Sequence, residues 1–377
     1  MEPDSISLKN EYFEILGKYV DEVIKPSFGI EHAGLSSYSK VDDSDEFTGT
    51  ISLPTKFSEY KNTDYYFKDE DKKFIHFTSL NTFIKIIDSG YFFANQLTYH
   101  DDPLELIYAG KEILDVISIE QLNELKKYLY SLSMCIFDDE KSIAAFNMWR
   151  LYGDGGNGIG IVFSFCSNKD NWKNTFLSSI YYGNKDKGLD KFRRFSEAHK
   201  IFMDKYPMFK MKPYSFAKEN IPNDIGLFLA LHKNSIFDGE EEVRFLKSFL
   251  NDDKNCDVRN KSIGLTIDKK NNLHKTYKIP IVSEKNIKRV AFENGNTQIT
   301  GFQNKFFKDI NSINEYINDA PFIIIEKVIL GYRYNDEDLS RIKKKIAAMV
   351  NEKVNNGRNI EFELSNLSHR FHDFSKA

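Results

Sequence analysis

The spacing of apolar and polar residues divides the chain into a sequence of short elements. Residues 7–24 carry apolar side chains at helical spacing, which predicts one amphipathic helix. Residues 25–70 are polar, rich in Ser and Asp and poor in periodicity, and they read as a long loop or linker. Lys73-Phe-Ile-His-Phe-Thr78 reads as a strand. Ser79 can then cap a helix in which Leu80, Phe83, Ile84 and Ile87 share a face, and Gly90 stops it. A strand at 91–94 and a polar loop at 98–103 follow. Helices are expected over 104–115 and 119–129, and a strand over 129–137.

The pattern beyond predicts a helix at 143–152, the glycine-rich turn Gly153-Asp-Gly-Gly-Asn-Gly158, and strands at 159–165 and 178–182. Residues 187–235 read as mostly helical. Strands are expected at 241–249, 276–282, 287–292, 322–331 and 359–364, with a basic amphipathic helix at 336–352. Short strands alternate irregularly with helices, so the expected class is α+β, with mixed, largely antiparallel central sheets and flanking helices. The expected organisation is a main body over 74–366, an acidic helical N-terminal extension and linker at 1–70, and a tail at 367–377.

Composition narrows the functional classes. Aromatic residues make up 14% of 377 positions, too many for a disordered chain. No apolar run approaches the roughly 18–20 residues of a membrane span, and Met1-Glu-Pro-Asp-Ser5 has no secretory character. Cys135, Cys166 and Cys256 are odd in number and lack metal spacing, which points to a reducing cytoplasm. Net charge is −4, so bulk electrostatics give no general attraction to nucleic acid. Residues 1–70 hold 15 acids against 7 bases, leaving a mildly basic remainder able to take an anionic ligand. The basic run Arg341-Ile-Lys-Lys-Lys345 reads first as a solvated helix face.

Two familiar motifs carry little. The glycine-rich turn lies between a helix and a strand, the reverse of the order that aims amides at phosphate. His369-Arg-Phe-His372 has no third ligand, so no metal is expected. A stronger constellation has four parts: Phe74-Ile-His76-Phe-Thr78-Ser79, His100-Asp-Asp102-Pro-Leu-Glu105, Asn147-Met-Trp149-Arg150-Leu-Tyr152, and Asp238-Gly-Glu240-Glu-Glu242-Val-Arg244. In the last, period two would put Glu240, Glu242 and Arg244 on one strand face. Clustered acids repel unless a cation sits between them. Each part has a structural alternative. His76 could be a satisfied core histidine, Trp149 and Tyr152 a buried helix face, and Glu242 with Arg244 a cross-strand ion pair. Asp102 and Glu105 could be helix caps.

In this order the motifs resemble a bacterial family, domain of unknown function 2971. They are His-Phe-Thr-Ser, Asp-Pro-x-Glu, Met-Trp-x-x-Tyr-Gly, Gly-Ile-Gly-Ile-Val-Phe, Glu-x-Glu-Val-Arg and the closing Glu326-Lys-Val-Ile-Leu-Gly-Tyr332. The resemblance spans about 74–366 and departs at Asp101, where Asn is expected. It implies no defined activity. The strand-borne His-Phe-Thr and late Glu-x-Glu are also similar to the His…Tyr…Glu layout of ADP-ribosyltransferases. That resemblance implies an NAD-dependent ADP-ribosyltransferase or NAD-cleaving, toxin-like effector, in a setting such as phage defence. NAD would be substrate, and an unidentified nucleic acid or protein would be acceptor.

Such a site needs a carboxylate beside an oxocarbenium-like ribose. Glu242 is the candidate, with Glu240 orienting the acceptor and His76 bonding a ribose hydroxyl. Thr78 and Ser79 flank the histidine. Tyr91, Trp149 or Tyr152 would stack on nicotinamide, and Arg150 or Arg244 would meet the pyrophosphate. His100, Asp102 and Glu105 are further candidates. The alternative is a non-catalytic nucleotide- or protein-sensing module of a bacterial defence system.

Overall fold

The computed structural model describes residues 5–40, 47–69, 72–100, 102, 104–138, 143–183, 188–207, 220–250, 262–267, 272–283, 285–287, 321–354 and 360–368. The class is α+β: a large, mostly antiparallel sheet with flanking helices and, among the described residues, no closed barrel. Cys256, Asp101, Pro103, residues 288–292 of one expected strand, and His369 and His372 lie outside the described residues.

The N-terminal helix α1 (Ser5–Tyr19) runs into a π turn (Val20–Ile24) and a last short turn, α2 (Lys25–Phe28). Gly29 ends it at φ 70°, a left-handed conformation that glycine adopts without a Cβ clash. Beyond it, β1 (Gly34–Lys40) and β2 (Phe47–Ser52) form an antiparallel hairpin. The reading of 25–70 as loop or linker is therefore corrected. Phe28, Ile30, Ile51, Phe57, Tyr60 and Tyr65 are buried in the same core as the main sheet. Phe28 and Tyr65 stack on Phe228 at 5.1 and 4.4 Å, and the Tyr19 hydroxyl meets His199 Nδ1 at 2.9 Å. The apolar residues of this segment, aromatic and aliphatic, are irregularly spaced, which is why periodicity does not reveal them.

β3 (Phe74–Thr78) leads to α3 (Leu80–Ser89), whose start is capped by Ser79 Oγ accepting from the Thr82 amide at 3.2 Å. Phe83, Ile86 and Ile87 form the buried stripe, whereas Ile84 is exposed. Next come β4 (Tyr91–Gln96), the short α4 (Ile107–Gly110), α5 (Ile119–Leu125) and β5 (Leu129–Ile136). The helix expected over 104–115 is thus one α turn followed by a 3-10 turn.

The later elements are α6 (Ile143–Leu151), β6 (Ile159–Phe165), β7 (Thr175–Ser179), β8 (Tyr181–Tyr182), α7 (Gly188–Lys205), α8 (Asn220–Leu229), β9 (His232–Lys233) and β10 (Glu242–Ser248). They continue with β11 (Ile263–Ile267), β12 (Leu273–Pro280), β13 (Ile323–Leu330), α9 (Asp336–Lys353) and β14 (Glu361–Leu364).

The ten-stranded sheet runs β11-β12-β4-β5-β3-β6-β13-β14, with β10 pairing both β5 and β7. One edge of β5 is taken along its length by β10. The other edge is forked: β4 pairs at Tyr130 and Ser131, and β3 pairs at Cys135 and Ile136. Neither pairs with Leu132, Ser133 or Met134 between them. Buried carbonyls require a donor, so this gap must be closed by something other than a strand.

The glycine-rich turn is a structural connection, as its helix-to-strand order implies. A Cβ on Gly158 would stand 2.3 Å from the Thr78 carbonyl oxygen and 2.6 Å from that of Gly153. The turn crosses against β3 so closely that only glycine fits.

Candidate functional site

The gap in the fork is closed by His76. Its Nδ1–H donates to the Ser133 carbonyl at 2.9 Å, and its ring stands edge-on to Phe92 at 6.0 Å. Burial pushes the imidazole below its ordinary pKa, opposed by the Ser133 bond. Register places its side chain. Ile75 pairs with Cys135, and Cys135 pairs with Glu242, so these three share one face of the sheet. His76, one residue on from Ile75, belongs to the opposite face. Ser133 joins the two, offering its carbonyl to His76 and donating its hydroxyl to Glu242 Oε1 at 2.6 Å.

On the Glu242 face lies a buried chain of charges. Arg244 is 0% exposed. Its Nε donates to Glu242 Oε1 at 2.8 Å and its Nη2 to Glu242 Oε2 at 3.3 Å. Its Nη1 donates to Glu105 Oε1 and to the Ala230 carbonyl at 2.5 Å. Lys233 Nζ lies 2.6 Å from Glu242 Oε2 and 2.9 Å from Glu240 Oε2. Tyr152, 45% exposed, donates its hydroxyl to Glu240 Oε1 at 2.5 Å. At the inner end His100 Nδ1 stands 3.5 Å from Glu105 Oε2, and its Nε2 meets Ser131 Oγ at 3.1 Å. Glu105 Oε2 itself accepts no hydrogen bond among the described residues.

Burial alone would raise the carboxyl pKa of Glu242, but Arg244 and Lys233 outweigh it and bring it down to about 2. The same opposition holds the buried Glu105 well below the carboxylate range, with Arg244 the largest opposing influence and His100 next. Burial is the largest single influence on Lys233 and lowers its pKa, but Glu242, Glu240 and Glu105 together outweigh it and hold the ammonium charged. The Cys135 thiol, whose Sγ donates to the Glu240 carbonyl, is pushed up to about 12 by burial and then by Glu242. It is therefore no nucleophile at neutral pH.

Several expected residues fall elsewhere. Trp149 is fully buried, edge-on to Phe77 at 4.9 Å, so it cannot stack on a ligand. Arg244 is enclosed and its donors are spent on protein oxygens, which removes it as a pyrophosphate ligand. Glu240 does not share a strand with Glu242: it ends a 3-10 turn, and Glu241 between them is left-handed at φ 46°. Tyr91 pairs with Pro280 at the far end of β4 from the fork. Thr78 is buried beside the glycine turn, Ser79 is the α3 cap, and Asp102 Oδ1 accepts from the Leu104 amide at 2.8 Å. Arg150 is exposed on α6. The network thus gathers Glu240, Glu242, Arg244, Glu105, His100 and Tyr152 from the expected set.

It also contains Ser133, Tyr182 and Lys233, which sequence reasoning missed. Tyr182 Oη accepts the Glu242 amide at 2.8 Å. Lys233 had one visible signal, a lysine placed two positions after the apolar run Ile225–Leu231. Among the described residues no group of three or more His, Cys, Asp or Glu could hold a metal ion, and no helix is long and apolar enough to cross a membrane.

With this geometry, comparison with known proteins becomes informative. Residues 148–245 match the model of DUF2971, a protein family of unknown function. The DUF2971 segment begins just before Trp149 and ends just after Arg244. It therefore contains Tyr152, the glycine turn, Tyr182, Lys233, Glu240 and Glu242, while His76, His100, Glu105 and Ser133 lie upstream of it. No curated protein and no solved structure matches the chain.

Proposed function

We propose that Tyr152 and Glu240 form the mouth of a nucleotide site, and that the chain acts there as an NAD-dependent ADP-ribosyltransferase or NAD-cleaving effector. The observation carrying this reading is the bond from the hydroxyl of half-exposed Tyr152 to Glu240 Oε1. There a half-exposed aromatic ring meets a buried carboxylate, the two groups that cleavage of a nicotinamide–ribose bond would use. The ring would stack on nicotinamide, and the carboxylate would stabilise the oxocarbenium-like ribose as the bond breaks. Glu240 takes the role first expected of Glu242, which stands behind it, and His76 serves the scaffold. Backbone strain supports a functional origin. Leu106 (φ 63°) and Glu241 (φ 46°) are two of four non-glycine residues with positive φ among the described residues, and each adjoins a network glutamate. The acceptor would be water, a nucleic acid or a protein, in a role such as phage defence.

Incubating the full chain with NAD and candidate acceptors, with nicotinamide release as the readout, tests this. Wild type should release nicotinamide, and Glu240→Gln should lose at least about 100-fold, the scale of a lost transition-state partner. Wild type that releases none under any acceptor discards the enzymatic reading. A second reading, a nucleotide- or protein-sensing module without turnover, is favoured by Glu242, whose two oxygens are occupied by Arg244, Lys233 and Ser133. It predicts a saturable thermal shift with NAD or a related nucleotide and no product.

A further inference from the structure

We infer that Lys233 is a positioning residue for this site: its ammonium divides the two glutamates and turns Glu240 toward the mouth. It rests on the Tyr152–Glu240 reading for its activity arm only. The two oxygens of Glu240 have separate partners. Oε2 faces inward to Lys233 at 2.9 Å, and Oε1 faces Tyr152 at 2.5 Å. Lys233 at the same time holds Glu242 Oε2 at 2.6 Å. Among the described residues Lys233 is the one cation paired with Glu240, because the donors of Arg244 are directed to Glu105, Glu242 and the Ala230 carbonyl.

The lysine is fixed at its backbone and along its side chain. Its backbone pairs with Tyr182 in the parallel β8–β9 ladder. Tyr182 Oη is itself bonded to the Glu242 amide. The Phe237 ring lies 5.5 Å from Nζ. Removing the ammonium would leave two carboxylates sharing one site, and one of them must then bind a proton at higher pH. That proton would occupy the carboxylate the proposed reaction uses.

The experiment compares wild type, Lys233→Arg, Lys233→Met and the charge-balanced double variant Lys233→Met/Glu242→Gln, all as full chains. For each, the pH profile of nicotinamide release and the pH dependence of the melting temperature are measured. Lys233→Met should move the acid limb of nicotinamide release up by at least about one pH unit and make the fall of melting temperature below about pH 4.5 shallower, because a less depressed carboxylate takes its proton nearer the unfolded value. Lys233→Arg should keep both limbs close to wild type, and the double variant should return the activity limb most of the way. If wild type releases no nicotinamide, the reaction proposed above fails, while the melting profiles still decide the role of Lys233. Should Lys233→Met not fold, a folded double variant supports the inference, and an unfolded one overturns it. An acid limb unmoved in Lys233→Met, or moved equally in Lys233→Arg, overturns it as well.

Discussion

Arg244 shows how one side chain organises a site from residues distant in sequence. It draws Glu105, 139 positions upstream, against Glu242, two positions upstream on its own strand. A planar fork with five donors suits this task, since it can serve two carboxylates and a carbonyl at once. Removing one partner of a buried ion pair leaves an uncompensated charge. Arg244→Met should therefore lower unfolding free energy by about 3–5 kcal/mol in urea titration. Arg244→Lys should recover less than half of that, because a point charge cannot bridge all three acceptors. Full recovery by lysine would show that charge alone matters. None of this pairing is visible locally. The strand motif announces a carboxylate–guanidinium pair, but Glu105 lies behind a histidine and a proline that suggest a helix cap.

At the level of elements, the features that depend on near neighbours were legible. Ser79 caps α3 and Gly90 ends it at φ 76°, both as the local pattern dictates. The glycine-rich turn was legible as a connection, and its reason is steric. Gly158→Ala should destabilise by about 2 kcal/mol or more, because its Cβ would meet backbone oxygens that cannot yield separately. Gly155→Ala should cost only about 1 kcal/mol. It has φ 63° but open space around a Cβ, so only the left-handed strain opposes it. Thermal melts of the two variants test this, and equal losses would contradict it. The fork of β5 was not legible, because strand pairing is set by which edges remain free after the sheet assembles.

The whole molecule responds to pH through these buried groups, and the direction follows from their shifts. The imidazole of His76 sits below its ordinary 6.5, so the fold prefers it neutral; this stability is present above 6.5 and lost as pH falls through the lowered value. Glu242, ordinarily 4.5 and here about 2, and Glu105, shifted the same way, contribute stability above 4.5 that is lost as pH falls toward 2. Melting temperature should therefore fall in two stages on acidification, shallow below about 6.5 and steep below about 4.5. His76→Gln should remove the first stage and leave the second. A single stage in both proteins would contradict this assignment.

Residue order by itself determined the α+β class, the capped helix α3, most strands of the main sheet and the pairing of Glu242 with Arg244 on one strand. These depend on spacing along the chain, where periodicity and capping act over a few residues. Tertiary structure alone decided that Phe28, Ile30, Ile51, Phe57, Tyr60 and Tyr65 pack into the core and that His76 closes a fork. It also decided that Trp149 is buried, and that Lys233 lies between two glutamates, one of them bonded to Tyr152. Apart from Lys233, which lies 7 positions from Glu240, these are contacts between segments tens of residues or more apart, set by which faces and edges the folded sheet leaves to be filled.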